Sequence, residues 1–179
     1  EQRCEMENFM LKAFEKLMDM PRFGGQYYSF TPGHDNFVQP AKQQMLVDAH
    51  IAFKDMSGDK YLVSAGIAND WPHGRGVYLS EDKDFIIWVG EEDHCRIMSM
   101  QTGTVLNRVF DKVKQALDVI DGIDGMDFAR SPDCGFVTSC PTNLGTGMRA
   151  SVHMRLPHLT TTAEGPHTTE AVEEVANPL

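Results

Sequence analysis

No run of apolar residues in the chain approaches the ~20 that a membrane-spanning helix needs. The first residues, Glu1-Gln2-Arg3-Cys4-Glu5, lack the basic-then-apolar order of a secretory signal, although they already lie inside an expected helix, so a targeting segment before them stays open. Positive charge is also scarce. With 16 Lys+Arg against 26 Asp+Glu the formal net charge is −10, which excludes the basic surface that nonspecific nucleic-acid binding requires. The four cysteines, at positions 4, 95, 134 and 140, form no CxxC pair and no zinc-ligand spacing. Without a disulfide framework, and with 11 methionines, the expected setting is reducing and cytoplasmic. There is no G-x-x-x-x-G-K-[ST] phosphate loop, no internal repeat and no low-complexity tract.

What is present is an ordinary soluble composition, 41% hydrophobic and 23% charged over 179 residues, enough for one domain with a core. Met6, Phe9, Met10, Ala13, Phe14 and Leu17 recur at helical spacing and predict a helix over 3–18 that Pro21 ends. A short extended piece follows at Tyr27-Tyr28. A second helix fits from Pro40 to about Phe53, and a third from Val105 to Ile120. Tyr61 to Ala68 is rich in β-formers and reads as a strand. Val77–Leu79 and Phe85–Val89 flank the polar Ser80-Glu81-Asp82-Lys83-Asp84 and read as a hairpin. Cys95–Met100, Gly135–Ser139 and Ala150–Leu156 complete the expected strands, and Glu170 to Ala176 could begin a helix. Asn69-Asp70-Trp71-Pro72-His73-Gly74-Arg75-Gly76 reads as a surface loop between strands. Hairpin succession with segregated helices predicts an α+β fold with a largely antiparallel sheet.

Two segments concentrate chemistry. Gly90-Glu91-Glu92-Asp93-His94-Cys95-Arg96 follows the apolar Phe85–Val89 and carries three carboxylates, a histidine and an arginine. Such a triplet is commonly a solvated hairpin turn. Read instead as a strand, it puts Glu92, His94 and Arg96 on one face, where the arginine would keep the carboxylate ionised and oriented. The second segment, Cys140-Pro141-Thr142-Asn143-Leu144-Gly145-Thr146-Gly147-Met148-Arg149, joins a thiol, permissive glycines and an arginine. Its backbone N–H groups can approach an anion closely, and Arg149 can aim a guanidinium at the same spot. Taken alone it is also a plain tight connection, and Cys140 a small buried hydrophobe. His50 and His153, on an apparent helix and strand, are more often structural than functional when read singly.

Together these strings resemble the phosphagen kinases, the creatine and arginine kinases. Trp88-Val89-Gly90-Glu91-Glu92-Asp93-His94-Cys95-Arg96-Ile97-Met98-Ser99-Met100 is similar to their W-x-N-E-E-D-H-x-R-x-I-S-M signature. Cys140 to Arg149 with Ala150-Ser151-Val152-His153 is similar to C-P-[ST]-N-L-G-T-x-x-R-A-x-V-H. Trp71-Pro72 with Arg75-Gly76 resembles W-P-x-x-R-G, and Leu46-Val47-Asp48-Ala49-His50 resembles L-I-D-D-H. The resemblance covers nearly the whole chain.

It implies a glutamine-synthetase-like catalytic domain and reversible transfer of the ATP γ-phosphoryl group to a guanidino substrate of arginine or creatine type, with ATP/ADP and Mg²⁺ as cofactors. Glu92 matches the carboxylate that orients the guanidinium and accepts its proton. Cys140 matches the reactive cysteine beside it, with a tuning and positioning role. Arg96 and Arg149 match two members of the arginine cage around the phosphates, and His50 and His153 the histidines flanking adenine and ribose. Trp88 matches a tryptophan packed at the active site. Mg²⁺ would be held through the ATP phosphates, with no protein metal site. Gly90 departs from the family's asparagine. The family's S-T-R-x-R pair, helical N-terminal domain and V-R-G loop have no counterpart here, so residues 1–179 are expected to be a partial C-terminal catalytic domain. A protein-arginine kinase and a non-catalytic nucleotide-binding or assembly module are the alternatives. No nucleic-acid or membrane partner is expected, and a homodimer stays open.

Overall fold

The computed structural model describes residues 1–155 and the backbone of 161–162 and 165–166. They fall in two compact units, Glu1–Gly147 and Met148–Leu179. The first is built on helix α1 (Gln2–Met18), strand β1 (Gly25–Ser29), helices α2 (Pro40–Asp48) and α3 (Lys60–Ser64), strands β2 (Gly76–Ser80), β3 (Phe85–Val89) and β4 (Cys95–Ser99), and helix α4 (Leu106–Asp121). The two-residue strands β5 (Arg130–Ser131) and β6 (Gly135–Phe136) and a 3₁₀ turn, Pro141–Asn143, follow. In the second unit Thr161–Thr162 and Gly165–Pro166 pair as a minimal antiparallel hairpin, β7 and β8.

The four longer strands form one antiparallel sheet in the order β1-β2-β3-β4, so the expected α+β class with an antiparallel sheet holds. Strand alternation gives this sheet two apolar faces. Tyr27, Tyr78, Ile87 and Ile97 stand in register across one face, beneath α1 and α4. The buried stripe of α1, Met10, Ala13, Phe14 and Leu17, packs there with Ala116 and Ile120 of α4. The Phe14 ring stacks on Tyr27 and on Tyr78, at 4.9 Å from each. On the opposite face Val77, Leu79 and Ile86 bury against Phe30, Leu46, Ala52, Phe53 and Met56, with Trp88 at its border. Both faces being covered, β2 and β3 are almost wholly buried, which is why their sequences read as apolar runs rather than alternations.

Four local expectations are corrected. Residues 60–64 are helical rather than extended, because the Asp59 side chain accepts from the N–H groups of Tyr61 and Leu62 and caps a helical turn. α2 stops at Asp48, and His50 follows with φ +56, a left-handed conformation that does not continue a helix. The strand expected over 135–139 shrinks to Gly135–Phe136, paired with Arg130–Ser131, and residues 150–155 carry no strand and are exposed. The 69–76 segment is not simply a surface loop: Arg75 is completely buried within it. The expected helix at 170–176 lies outside the described residues. Among the described residues no helix is long and apolar enough to cross a membrane.

Candidate active site

The site grows from β3 and β4. Trp88 and Arg96 are cross-strand partners, and the Arg96 guanidinium lies over the Trp88 ring, 5.3 Å from its centroid. Trp88 is fixed in turn: its indole Nε1 donates to the Ile51 carbonyl at 2.6 Å and its ring meets Phe53 edge-on at 5.3 Å. The tryptophan therefore ties the residue after His50 to the base of the acidic turn. His50 itself is exposed and lines an open groove of about 710 Å³ with Val47, Asp48, Lys54, Asp55 and Trp71.

Gly90 to His94 form the turn between β3 and β4, not the start of a strand. The expected Glu92–His94–Arg96 face is thus replaced. Arg96 pairs with Glu91, at 3.6 Å, its side chain 44% exposed. A pair that long and that wet is weak, so Arg96 is available to a stronger anion. Gly90 has φ +69 and lies so close to Gly74 that a Cβ would run into the Gly74 carbonyl oxygen. The glycine standing where the family has asparagine therefore seats the turn directly on the backbone beneath it.

Burial raises the Glu92 carboxyl above its ordinary range; Glu91 adds to the rise, Arg96 opposes it and Asp93 adds again. The Glu92 N–H donates to the Glu91 carboxylate at 3.0 Å. Glu92 is half-buried, as are Glu91 and Asp93. A carboxylate in such surroundings has greater proton affinity than one in water, the property a base needs near neutral pH.

Cys140 comes to this turn through the residue before it. The Ser139 N–H donates to the Asp93 carboxylate at 2.6 Å, and the Ser139 hydroxyl donates to the Glu92 carbonyl at 2.7 Å. The loop that carries Cys140 is closed at its base, where Phe136 N–H donates to the Gly145 carbonyl and Gly145 N–H to the Phe136 carbonyl. The Cys140 sulfur lies 3.0 Å from the Thr142 hydroxyl. The other nearby thiol, Cys95, is pushed up to about 12 by burial and is chemically quiet.

Among the predicted site residues, then, Trp88, Arg96, Glu92 and Cys140 are joined through one set of contacts, and the His50 segment is tied to it by Ile51. Arg149 and His153 belong to the second unit, where both are exposed; His153 is not on a strand. Among the described residues no group of three His, Cys, Asp or Glu side chains is placed to hold a metal ion.

Three residues to which the sequence assigned no role support this constellation. Ser139 is one. Glu7, buried on α1, accepts hydrogen bonds from the hydroxyls of Tyr27, Ser29 and Thr31 at 2.8, 2.6 and 2.6 Å. Thr31 also accepts from the Gly74 N–H at 2.8 Å, the same glycine on which Gly90 rests. Arg75, next in line, donates to the carbonyls of Ile67, Asn69 and His73 and lies over Trp71. Burial, then the Arg3 charge, lower its guanidinium to about 10, leaving it charged at neutral pH. Arg75 stood in the W-P-x-x-R-G string without a role, and neither Ser139 nor Glu7 was singled out.

Comparison with known proteins agrees with the geometry. The family model described as ATP:guanido phosphotransferase, C-terminal catalytic domain, matches residues 5–176. An arginine kinase of Anthopleura japonica is 46% identical over 156 residues, 87% of this chain and 20% of that protein. An arginine kinase of Limulus polyphemus is 42% identical over 159 residues, 89% of this chain and 42% of its own length. Among solved structures, the substrate-free duplicated taurocyamine kinase of Schistosoma mansoni matches with TM-score 0.68 at 34% identity, over 81% of this chain and 19% of that one. Lombricine kinase matches with TM-score 0.67 at 30% identity, over 81% of this chain and 38% of the other. The chain thus spans between about a fifth and two fifths of the length of these relatives.

Proposed function

The chain belongs to the ATP:guanido phosphotransferase family, through its C-terminal catalytic domain, and from that premise we propose that it forms part of an enzyme that moves the ATP γ-phosphoryl group reversibly onto a small guanidino substrate. Arginine is the first substrate to test, because the relatives at 46% and 42% identity are named arginine kinases. Residues 1–179 would supply one portion of the catalytic domain, including its proton acceptor and part of its phosphate clamp.

The chemistry sets the requirements. A guanidinium nitrogen is protonated and its lone pair is delocalised, so attack on phosphorus needs a group that takes a proton. Glu92 fills that role, with burial and Glu91 raising its proton affinity. Arg96, held only by a loose pair with Glu91, fits a nucleotide phosphate, and Arg149 would add a second guanidinium. His50 on its groove and His153 would flank the nucleoside. Trp88 holds Arg96 and the 50–51 segment in place, and Cys140 would orient the guanidinium. When bound, MgATP supplies the phosphoryl group, with Mg²⁺ arriving on the phosphates and offsetting their charge.

The observation that carries the proposal is the joining of the Glu92 turn to the Cys140 loop at Ser139, with Arg96 rooted beside it on β4. A coupled assay with MgATP and arginine, creatine or taurocyamine tests it. Turnover with a guanidino acceptor is expected. Nucleotide binding measured by calorimetry with no turnover of any acceptor would contradict the enzymatic reading and favour a binding module.

A further inference from the structure

The acidic turn is only lightly held from within. Its internal ties are the Gly90 N–H to the His94 carbonyl at 3.2 Å, the Glu92 N–H to the Glu91 carboxylate at 3.0 Å and the loose Arg96–Glu91 pair at 3.6 Å. Against these stand three neighbouring carboxylates whose mutual repulsion favours an opened turn. The main tie from outside the hairpin to the 92–93 portion is Ser139, 46 residues further along the chain from Asp93.

Ser139 bonds this turn at two consecutive residues. One bond, at 2.6 Å, is charge-assisted and runs from a backbone N–H, so any residue but proline supplies it. The other, at 2.7 Å, needs a hydroxyl and lands on the carbonyl of Glu92. Two bonds to adjacent residues fix both the position and the tilt of the intervening peptide, and so the direction in which the Glu92 side chain leaves the backbone. Because Ser139 is the residue before Cys140, the same bonds also set the distance between the carboxylate and the thiol.

We propose that Ser139, working with the Asp93 carboxylate, is a positioning residue for the phosphoryl transfer, clamping the Glu92 turn and the Cys140 loop into one rigid constellation. This rests on the phosphotransfer reading above. Asp93 is thereby committed to holding Ser139 and is not a second base. The Ser139 hydroxyl is spent on the Glu92 carbonyl, so its loss should act on turnover through the aim of Glu92 and leave MgATP affinity alone. Misaiming a reacting group by a fraction of an ångström is enough to cost about tenfold in rate.

The test compares wild type, Ser139→Ala, Ser139→Thr and Asp93→Asn in the full-length protein, by steady-state kinetics and by amide hydrogen exchange. Ser139→Ala should lower kcat about tenfold with KM for MgATP changed by less than about twofold, and Ser139→Thr should restore most of the loss. In Ser139→Ala and Asp93→Asn the amides of 91–94 and 139 should exchange about tenfold faster. A Ser139→Ala kcat within about twofold of wild type, or unchanged exchange, overturns the clamp. Parallel loss of MgATP affinity and thermal stability that threonine does not rescue would mark a merely structural serine and overturns it too. If the wild type transfers phosphoryl to no guanidino acceptor, the proposed function fails, and the exchange arm alone decides the clamp.

Discussion

Glu92 sits among charges that pull its proton affinity in opposite directions. Burial and Glu91 raise it, and Arg96 lowers it. A base works only when deprotonated, so activity should climb with pH through a value above the ordinary carboxylate range of about 4.3. Between the ordinary and the raised value the folded protein holds more protons than the unfolded chain, so stability falls as pH rises through that window. Glu91→Gln removes the second cause of the rise and frees Arg96 for Glu92. The acid limb of kcat/KM should then move to lower pH; a limb that stays put or moves up would contradict this assignment. Glu7 makes a different kind of test. Three hydroxyls donate to its buried carboxylate, and the amide nitrogen of Glu7→Gln cannot accept from any of them. A loss of roughly 2 kcal/mol in urea unfolding is expected, and an unchanged midpoint would deny the network its role. Neither Glu7 nor Ser139 was legible in the sequence, because each acquires its meaning from partners 20 to 47 residues away. Glu92, Cys140, Arg96 and Trp88 stand inside contiguous strings, so the sequence could mark them as candidates.

At the scale of elements, helix α1 and the β2–β3 hairpin followed their patterns, whereas short segments did not. Phe14 lies fully buried between two tyrosine rings, and Phe14→Ala should cost about 3–5 kcal/mol in unfolding free energy. A cost under about 1 kcal/mol would mean that the helix and sheet are not packed as described. The 60–64 segment shows why β-formers misled: Tyr61 and Val63 favour strands, but Asp59 supplies a cap with two hydrogen bonds, and local capping outweighs weak propensity. Residues 150–155 show the converse. Alternating Ala150, Val152 and Met154 are realised as a strand only against a partner, and the described residues pair them with none. Turn geometry was the least legible part. The approach of Gly90 to Gly74 decides where the acidic turn sits, and no spacing rule announces a contact between two glycines.

For the whole molecule, the proposed function sets an acidic protein against an anionic nucleotide. A net charge of −10 offers no general attraction, so any attraction must be local. In the proposed function Arg96 beside Trp88 would provide it where β4 begins, on the sheet face opposite α1 and α4. The two apolar faces hold the four strands rigid from both sides, so the turn at their end inherits a fixed base. Under the proposed function this arrangement would be machinery for phosphoryl transfer to a guanidino nitrogen, in which Glu92 would take the proton. The most direct measurement is kcat for phosphoryl transfer from MgATP to arginine in wild type and Glu92→Gln. A fall of about 10² or more is expected, with nucleotide affinity retained. An unchanged rate would remove Glu92 as the base and contradict the account at its centre.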